Sequence, residues 1–71
     1  MNTVLVFRTS VVSQREVKRL QPLLNKIIVP DGQWNFDLED CDNILRVEAP
    51  VPEAVAIIAA LRIQGFSCEE L

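Results

Sequence analysis

The sequence predicts an α+β fold with the element order strand, helix, strand, strand, helix, strand (βαββαβ). Two segments with apolar residues at helical spacing alternate with runs rich in β-branched and aromatic residues. A capping signal precedes the first helical segment, and a glycine follows the second. Two crossover helices in such a chain pack on one face of a four-stranded antiparallel sheet, with expected strand order 4-1-3-2. This is a ferredoxin-like open-faced sandwich, and residues 1–71 are expected to form one domain.

The first third of the chain predicts a strand and a helix. The strand Thr3–Thr9 is apolar on both faces over most of its length, which suits a central position in the sheet. Ser13 and Glu16 have the spacing of a capping box, so a helix is expected from Ser13 to about Asn25. Pro22 removes one backbone hydrogen bond, and the last turn of this helix is therefore expected to be kinked or frayed.

The middle of the chain predicts a β-hairpin. After a turn signal at residues 30–32, apolar and polar residues alternate from Trp34 to Leu38, as in a half-buried strand. An acidic turn at residues 39–43 then leads into the strand Ile44–Ala49. Trp34 is expected to pack near the sheet edge or under the helix ends.

The last third predicts a second helix and a short final strand at residues 66–71. Pro52 suits the first helical position, and Gly65 suits the position after the helix end. At 100° per residue one side of this helix faces the core. The opposite side, which this fold normally makes polar, is apolar and consists of Val55, Ala56, Ala59 and Ile63.

Composition argues against several functional classes. The net charge is −3 and the pI is near 4.7, which does not favour nucleic-acid binding. The chain has no histidine, and no pairing of a nucleophile with a base is visible, so no catalytic residue and no enzymatic activity are expected. No signal peptide is visible, and the longest apolar run is far shorter than the roughly 20 residues of a membrane span. A cytoplasmic location is therefore expected.

The join between the first strand and the first helix carries Val11, Ser13 and Glu16 in the spacing V-x-S-x-x-E, and Phe66 follows the second helix. With the predicted element order, these positions resemble heavy-metal-associated (HMA) domains of copper chaperones and metal-transporting ATPases. Those domains carry M-x-C-x-x-C at this join, so Val11 replaces the methionine while Ser13 and Glu16 replace the two cysteines. The remaining matches are core positions: Leu5, Phe7, Leu45, Val47 and Gly65.

The resemblance implies a metal site that has lost its thiolates. Two thiolates hold soft ions such as Cu(I) or Zn(II), whereas a hydroxyl and one carboxylate are harder and weaker ligands. We therefore expect neither a metal nor any other cofactor. Cys41 and Cys68 are expected to be reduced and structural. Cys41 is placed in the hairpin turn, at the opposite end of the sheet from Ser13, and about 12 Å from Cys68, beyond disulfide reach.

Two surfaces are candidate contacts for a protein partner or a second copy of the chain. One is the outer side of the second helix; its alternative interpretation is a tolerated surface of small residues. The other is the uncovered sheet face, with Val4, Val6 and Ile44. Arg15, Lys18 and Arg19 also form a basic helix face that could meet an acidic partner or a phosphate, or simply face water.

The first functional hypothesis is a non-catalytic HMA-like domain that acts through protein contacts or self-association. A second is a metal or small-ligand binder that uses the altered loop near Ser13, Glu16 and Phe66. A third is a regulatory small-molecule-binding domain of the ACT type, which shares this topology. Neither nucleic acid nor membrane is expected as a partner.

Overall fold

In a computed structural model, which describes residues 2–28, 31–39 and 41–71, the chain forms a two-layer α+β sandwich. The elements are β1 (Thr3–Thr9), α1 (Gln14–Ile28), β2 (Gln33–Asp37), β3 (Ile44–Ala49), α2 (Ala54–Ile63) and β4 (Cys68–Glu70). All strand pairs are antiparallel, in the order β2-β3-β1-β4. This is the predicted order 4-1-3-2 read from the other edge, so the predicted fold is confirmed. The expected turn residue Pro30 lies outside the described residues.

The centre of the sheet is the β1–β3 pair. In its register Leu5 lies opposite Val47 and Phe7 opposite Leu45, and these side chains point toward the helices. The core is built from both layers and comprises Phe7, Val11, Leu20, Leu24, Ile28, Leu45, Val47, Ile57, Leu61, Phe66 and Cys68. No helix in the described part of the chain is both long and apolar enough to cross a bilayer.

Helix α1 ends at Ile28, three residues later than predicted. Leu20, Leu24 and Ile28 follow one another at four-residue spacing, and all three are buried. Pro22 is exposed on the other side, so the backbone hydrogen bond that it removes faces water. Packing of the buried residues therefore continues the helix past the proline.

Helix α2 begins at Ala54, so the expectation that Pro52 occupies its first position was wrong. Glu53 is the N-cap, with φ −106° and ψ 96°, and its carbonyl accepts the first helical hydrogen bond, from the Ile57 amide. At the other end Gly65 has φ +93°, as its predicted position after the helix requires.

The C-terminal end of α2 is a Schellman motif. The Phe66 amide donates to the Leu61 carbonyl at 3.0 Å, and the Gly65 amide donates to the Arg62 carbonyl at 3.0 Å. The motif turns Phe66 into the core, where it is 8% exposed. Strand β4 consequently starts at Cys68 and not at Phe66.

Candidate functional site

The loop between β1 and α1 is a helix cap. The Ser13 hydroxyl accepts a hydrogen bond from the Glu16 amide at 3.2 Å. In return the Glu16 carboxylate accepts from the Val12 amide at 2.8 Å, one residue earlier than in a standard capping box. Val11, beside them, is fully buried. The polar atoms at the two positions that resemble thiolate sites are thus engaged in capping bonds.

Phe66 lies beside this loop, under a basic side chain. The Arg19 guanidinium sits 5.2 Å from the centre of the Phe66 ring, and it donates to the Gln64 carbonyl at 2.9 Å. The Ser67 amide donates to the Ser10 hydroxyl at 2.9 Å, so this bond joins the loop between α2 and β4 to the loop between β1 and α1. The structure therefore brings Val11, Ser13, Glu16 and Phe66 to one end of the sandwich. Sequence reasoning missed the contact of Arg19 with α2, for which no local signal exists.

In the described residues, no three Cys, Asp or Glu side chains are grouped so that they could hold a metal ion. Both cysteines are free thiols. The predicted placement of Cys41 at the far end of the sheet from Ser13 is wrong, because Ile44 at the start of β3 pairs with Arg8 near the end of β1. Antiparallel pairing therefore puts the hairpin turn with Cys41 at the same end of the sheet as Ser13.

The two thiols have contrasting surroundings. Cys68 is 1% exposed, and burial raises the pKa of its thiol from 9.0 to about 11, against a smaller lowering by the Arg62 charge. Cys41 is exposed. The expectation that both cysteines are structural is therefore wrong for Cys41, which contributes nothing to the core.

The outer side of α2 is an exposed apolar stripe. Val55 is 82% exposed and Ile63 80% exposed, with Ala59 exposed between them at four-residue spacing. Ala56 is half-buried on the flank. Arg62 is the only charged residue among the ten of α2. We call Val55, Ala59 and Ile63 the apolar stripe.

The uncovered face of the sheet differs in character. Val4 is 50% exposed, while Val6 and Ile44 are half-buried. Charged residues stand directly opposite these side chains in the register: Glu48 opposite Val4, Arg46 opposite Val6, and Arg8 opposite Ile44. Ion pairs and hydrogen bonds also cross this face. The Arg8 guanidinium pairs with the carboxylates of Glu69 at 3.2 Å and Asp42 at 3.5 Å. The Glu48 carboxylate accepts hydrogen bonds from the side-chain amides of Asn2 and Gln33, both at 3.3 Å.

The outer side of α1 is basic. Its exposed charged residues are Arg15, Lys18, Arg19 and Lys26. Both ion pairs among the described residues involve Arg8 on the opposite layer, so none of these four side chains is paired with a carboxylate there. The two helices hold five of the seven basic residues and one of the ten acidic residues of the chain. They therefore carry a net charge of +4, and the rest of the chain carries −7.

A shallow cavity of about 350 Å³ lies at the far end of the sandwich from Ser13. Its lining residues include the apolar Ile28, Val47 and Ile57 and the acidic Asp31 and Glu53. Sequence reasoning did not find it, because it arises where the end of α1 meets the connection from β3 to α2.

Comparison with known proteins identifies no relative. No family model, no curated protein and no solved structure matches this chain.

Proposed function

We propose that the protein is a non-catalytic interaction domain, an HMA-like sandwich that lacks the metal-binding cysteines and binds another protein through the outer face of α2. The observation that carries this proposal is the apolar stripe. Two large side chains, Val55 and Ile63, are each at least 80% exposed on a helix with one charged residue. An exposed apolar patch of this kind is typical of interaction sites.

The energetics favour covering this stripe. Full burial of a valine or isoleucine side chain contributes about 1.5–3 kcal/mol relative to exposure. These side chains lie outside the core of the fold, to which α2 contributes its inner face with Ile57, Ala60 and Leu61. A binding partner can therefore gain several kcal/mol at the stripe without disturbing the sandwich.

The altered loop supports this choice over ion binding. Ser13 and Glu16 act together as the cap of α1. An ion bound between them would have to compete with both capping hydrogen bonds, which contribute about 1 kcal/mol to helix stability. The capping role of these two side chains therefore weighs against their use as ion ligands.

Selection from a random peptide display library on the immobilised chain tests the proposal. We expect enriched peptides that bind the wild type and fail to bind Ala59→Glu, because the new carboxylate lies in the middle of the stripe. Asn35→Glu, also an exposed residue but on the uncovered sheet face, is the matched control and should retain binding. The proposal is wrong if no peptide is enriched, or if the enriched peptides bind Ala59→Glu as well as the wild type.

A further inference from the structure

We infer that the partner of the helical layer presents an acidic amphipathic helix, whose apolar side covers the stripe on α2 and whose carboxylates meet the basic face of α1. This inference rests on the function proposed above and names the chemistry of the partner. Its basis is the position of the apolar stripe next to cations that pair with no carboxylate in the described part of the chain.

The stripe and the cations belong to one continuous surface. Arg19 reaches from α1 to the Gln64 carbonyl, directly after Ile63 at the end of the stripe. Arg15 and Lys26 lie one turn before and two turns after Arg19 on α1, so they share its side of that helix. The outer surface of the helical layer is therefore apolar along α2 and basic along α1.

Interface size makes the basic face part of any contact. A specific interface buries about 800 Å² on each partner, from about 20–30 residues. The stripe has three side chains, two of them large. A partner that covers the stripe must extend over its surroundings, and on the α1 side these are Arg15, Arg19 and Lys26, which share one side of that helix.

Charge then decides between a second copy and a different partner. Symmetric pairing through the stripe would bring two helical layers, each with net charge +4, into one interface. Like charges facing each other disfavour that pairing, whereas carboxylates would neutralise cations that lack an acidic partner among the described residues. The charge distribution therefore favours an acidic partner over self-association.

The spacing of the stripe favours a helix as the contacting element. Residues at four-residue spacing form the ridges that interdigitate when helices pack. Ala59 is the small member between Val55 and Ile63, so a second helix can approach α2 closely at its middle. A helix in such a contact presents apolar residues toward α2 and acidic residues on the flank toward α1.

Three synthetic helical peptides with one common apolar face test the inference. Their flanking positions carry glutamate, glutamine or lysine, and affinity is measured by fluorescence anisotropy at low and high salt. We expect the glutamate peptide to bind at least about tenfold more tightly than the glutamine peptide, with the difference shrinking at high salt. The double variant Arg15→Glu/Lys26→Glu should reverse the preference in favour of the lysine peptide, whereas Arg46→Glu on the sheet face should not change it.

Two other results would overturn the inference. Equal binding of the glutamate and glutamine peptides would show an apolar contact without charge selection; the random selection against Ala59→Glu would still decide the proposed function. The second result is binding to vesicles of phosphatidylcholine and phosphatidylserine, but not of phosphatidylcholine alone, in the absence of binding to any peptide. That result would assign the helical layer to an anionic lipid surface.

Discussion

The two helices lie side by side on the same sheet, yet their outer faces are opposites. Helix α1 buries Leu20, Leu24 and Ile28 and turns charged and polar residues to water. Helix α2 buries Ile57 and Leu61 in the same core, but its outer face is apolar. Since the sandwich requires only the inner face of each helix, α1 shows what this fold needs at its surface. The exposed valine and isoleucine of α2 are therefore an addition that the fold does not explain.

The helices also start differently. A side chain from Ser13 caps α1, whereas Glu53 at the N-cap of α2 makes no capping hydrogen bond with its side chain. The fixed end of α2 is its C-terminus, where the Schellman motif anchors Phe66 in the core. Helix α1 is therefore held at its N-terminus by a side-chain cap and α2 at its C-terminus by the Schellman motif. Substitutions at the two N-caps can measure this difference.

The largest expected contrast lies between the inner face of one helix and the outer face of the other. Leu24→Ala removes a fully buried side chain and should lower the free energy of unfolding by about 2–5 kcal/mol. Val55→Ala alters an exposed side chain and should change it by less than about 0.5 kcal/mol. Urea denaturation measures both. A loss of several kcal/mol in Val55→Ala would mean that the outer face of α2 stabilises the isolated domain.

A pH-dependent effect is expected near the end of α2, where Cys68 packs beside Arg62. The raised pKa of Cys68 means that its contribution to stability is complete below pH 9.0 and is lost as the pH rises through about 11. The slope should reach at most about 1.4 kcal/mol per pH unit. Thermal melts of wild type and Cys68→Ala from pH 8 to 11 measure it. An equal slope in both proteins would contradict the assignment.

Thiol labelling provides a matched control in the native protein. Cys41 is exposed and should react with a disulfide reagent, while Cys68 should react only as the chain unfolds. Cys41→Ser should therefore show no fast labelling. Fast labelling of that variant would indicate that the junction of α2 and β4 opens readily.

The caps give smaller effects of opposite sign. Ser13→Ala should destabilise the domain by about 1 kcal/mol, because it leaves a first-turn amide of α1 without its acceptor. Glu53→Ser places a good capping residue on suitable N-cap geometry, so a gain of about 0.5 kcal/mol is expected. Negligible changes in the free energy of unfolding of both variants would contradict the claim that only α1 is stabilised by a side-chain cap.

Local signals in the sequence accounted for much of this structure. Ser13 with Glu16 indicated the cap, Gly65 indicated the end of α2, and the angular positions of Val55 and Ile63 indicated an outer apolar face. Each of these depends on residues within one or two helical turns, so local spacing is sufficient to find it.

Features that depend on distant contacts were missed or misplaced. Helix α1 continues to Ile28, three residues beyond the predicted end, because Ile28 reaches the core, which spacing alone did not reveal. The hairpin turn with Cys41 was assigned to the wrong end of the sheet because its place follows from the β1–β3 register. The contact of Arg19 with Phe66 joins residues from the first and last thirds of the chain, and only the tertiary fold brings them together.

The most direct test of a binding face on α2 is amide chemical-shift mapping of the intact chain with the glutamate-flanked helical peptide. The account predicts that the largest shift changes fall on Val55, Ala59 and Ile63 of α2, with smaller changes along α1 near Arg15 and Arg19. Changes concentrated on the uncovered sheet face, at Val4, Val6 and Ile44, would contradict it.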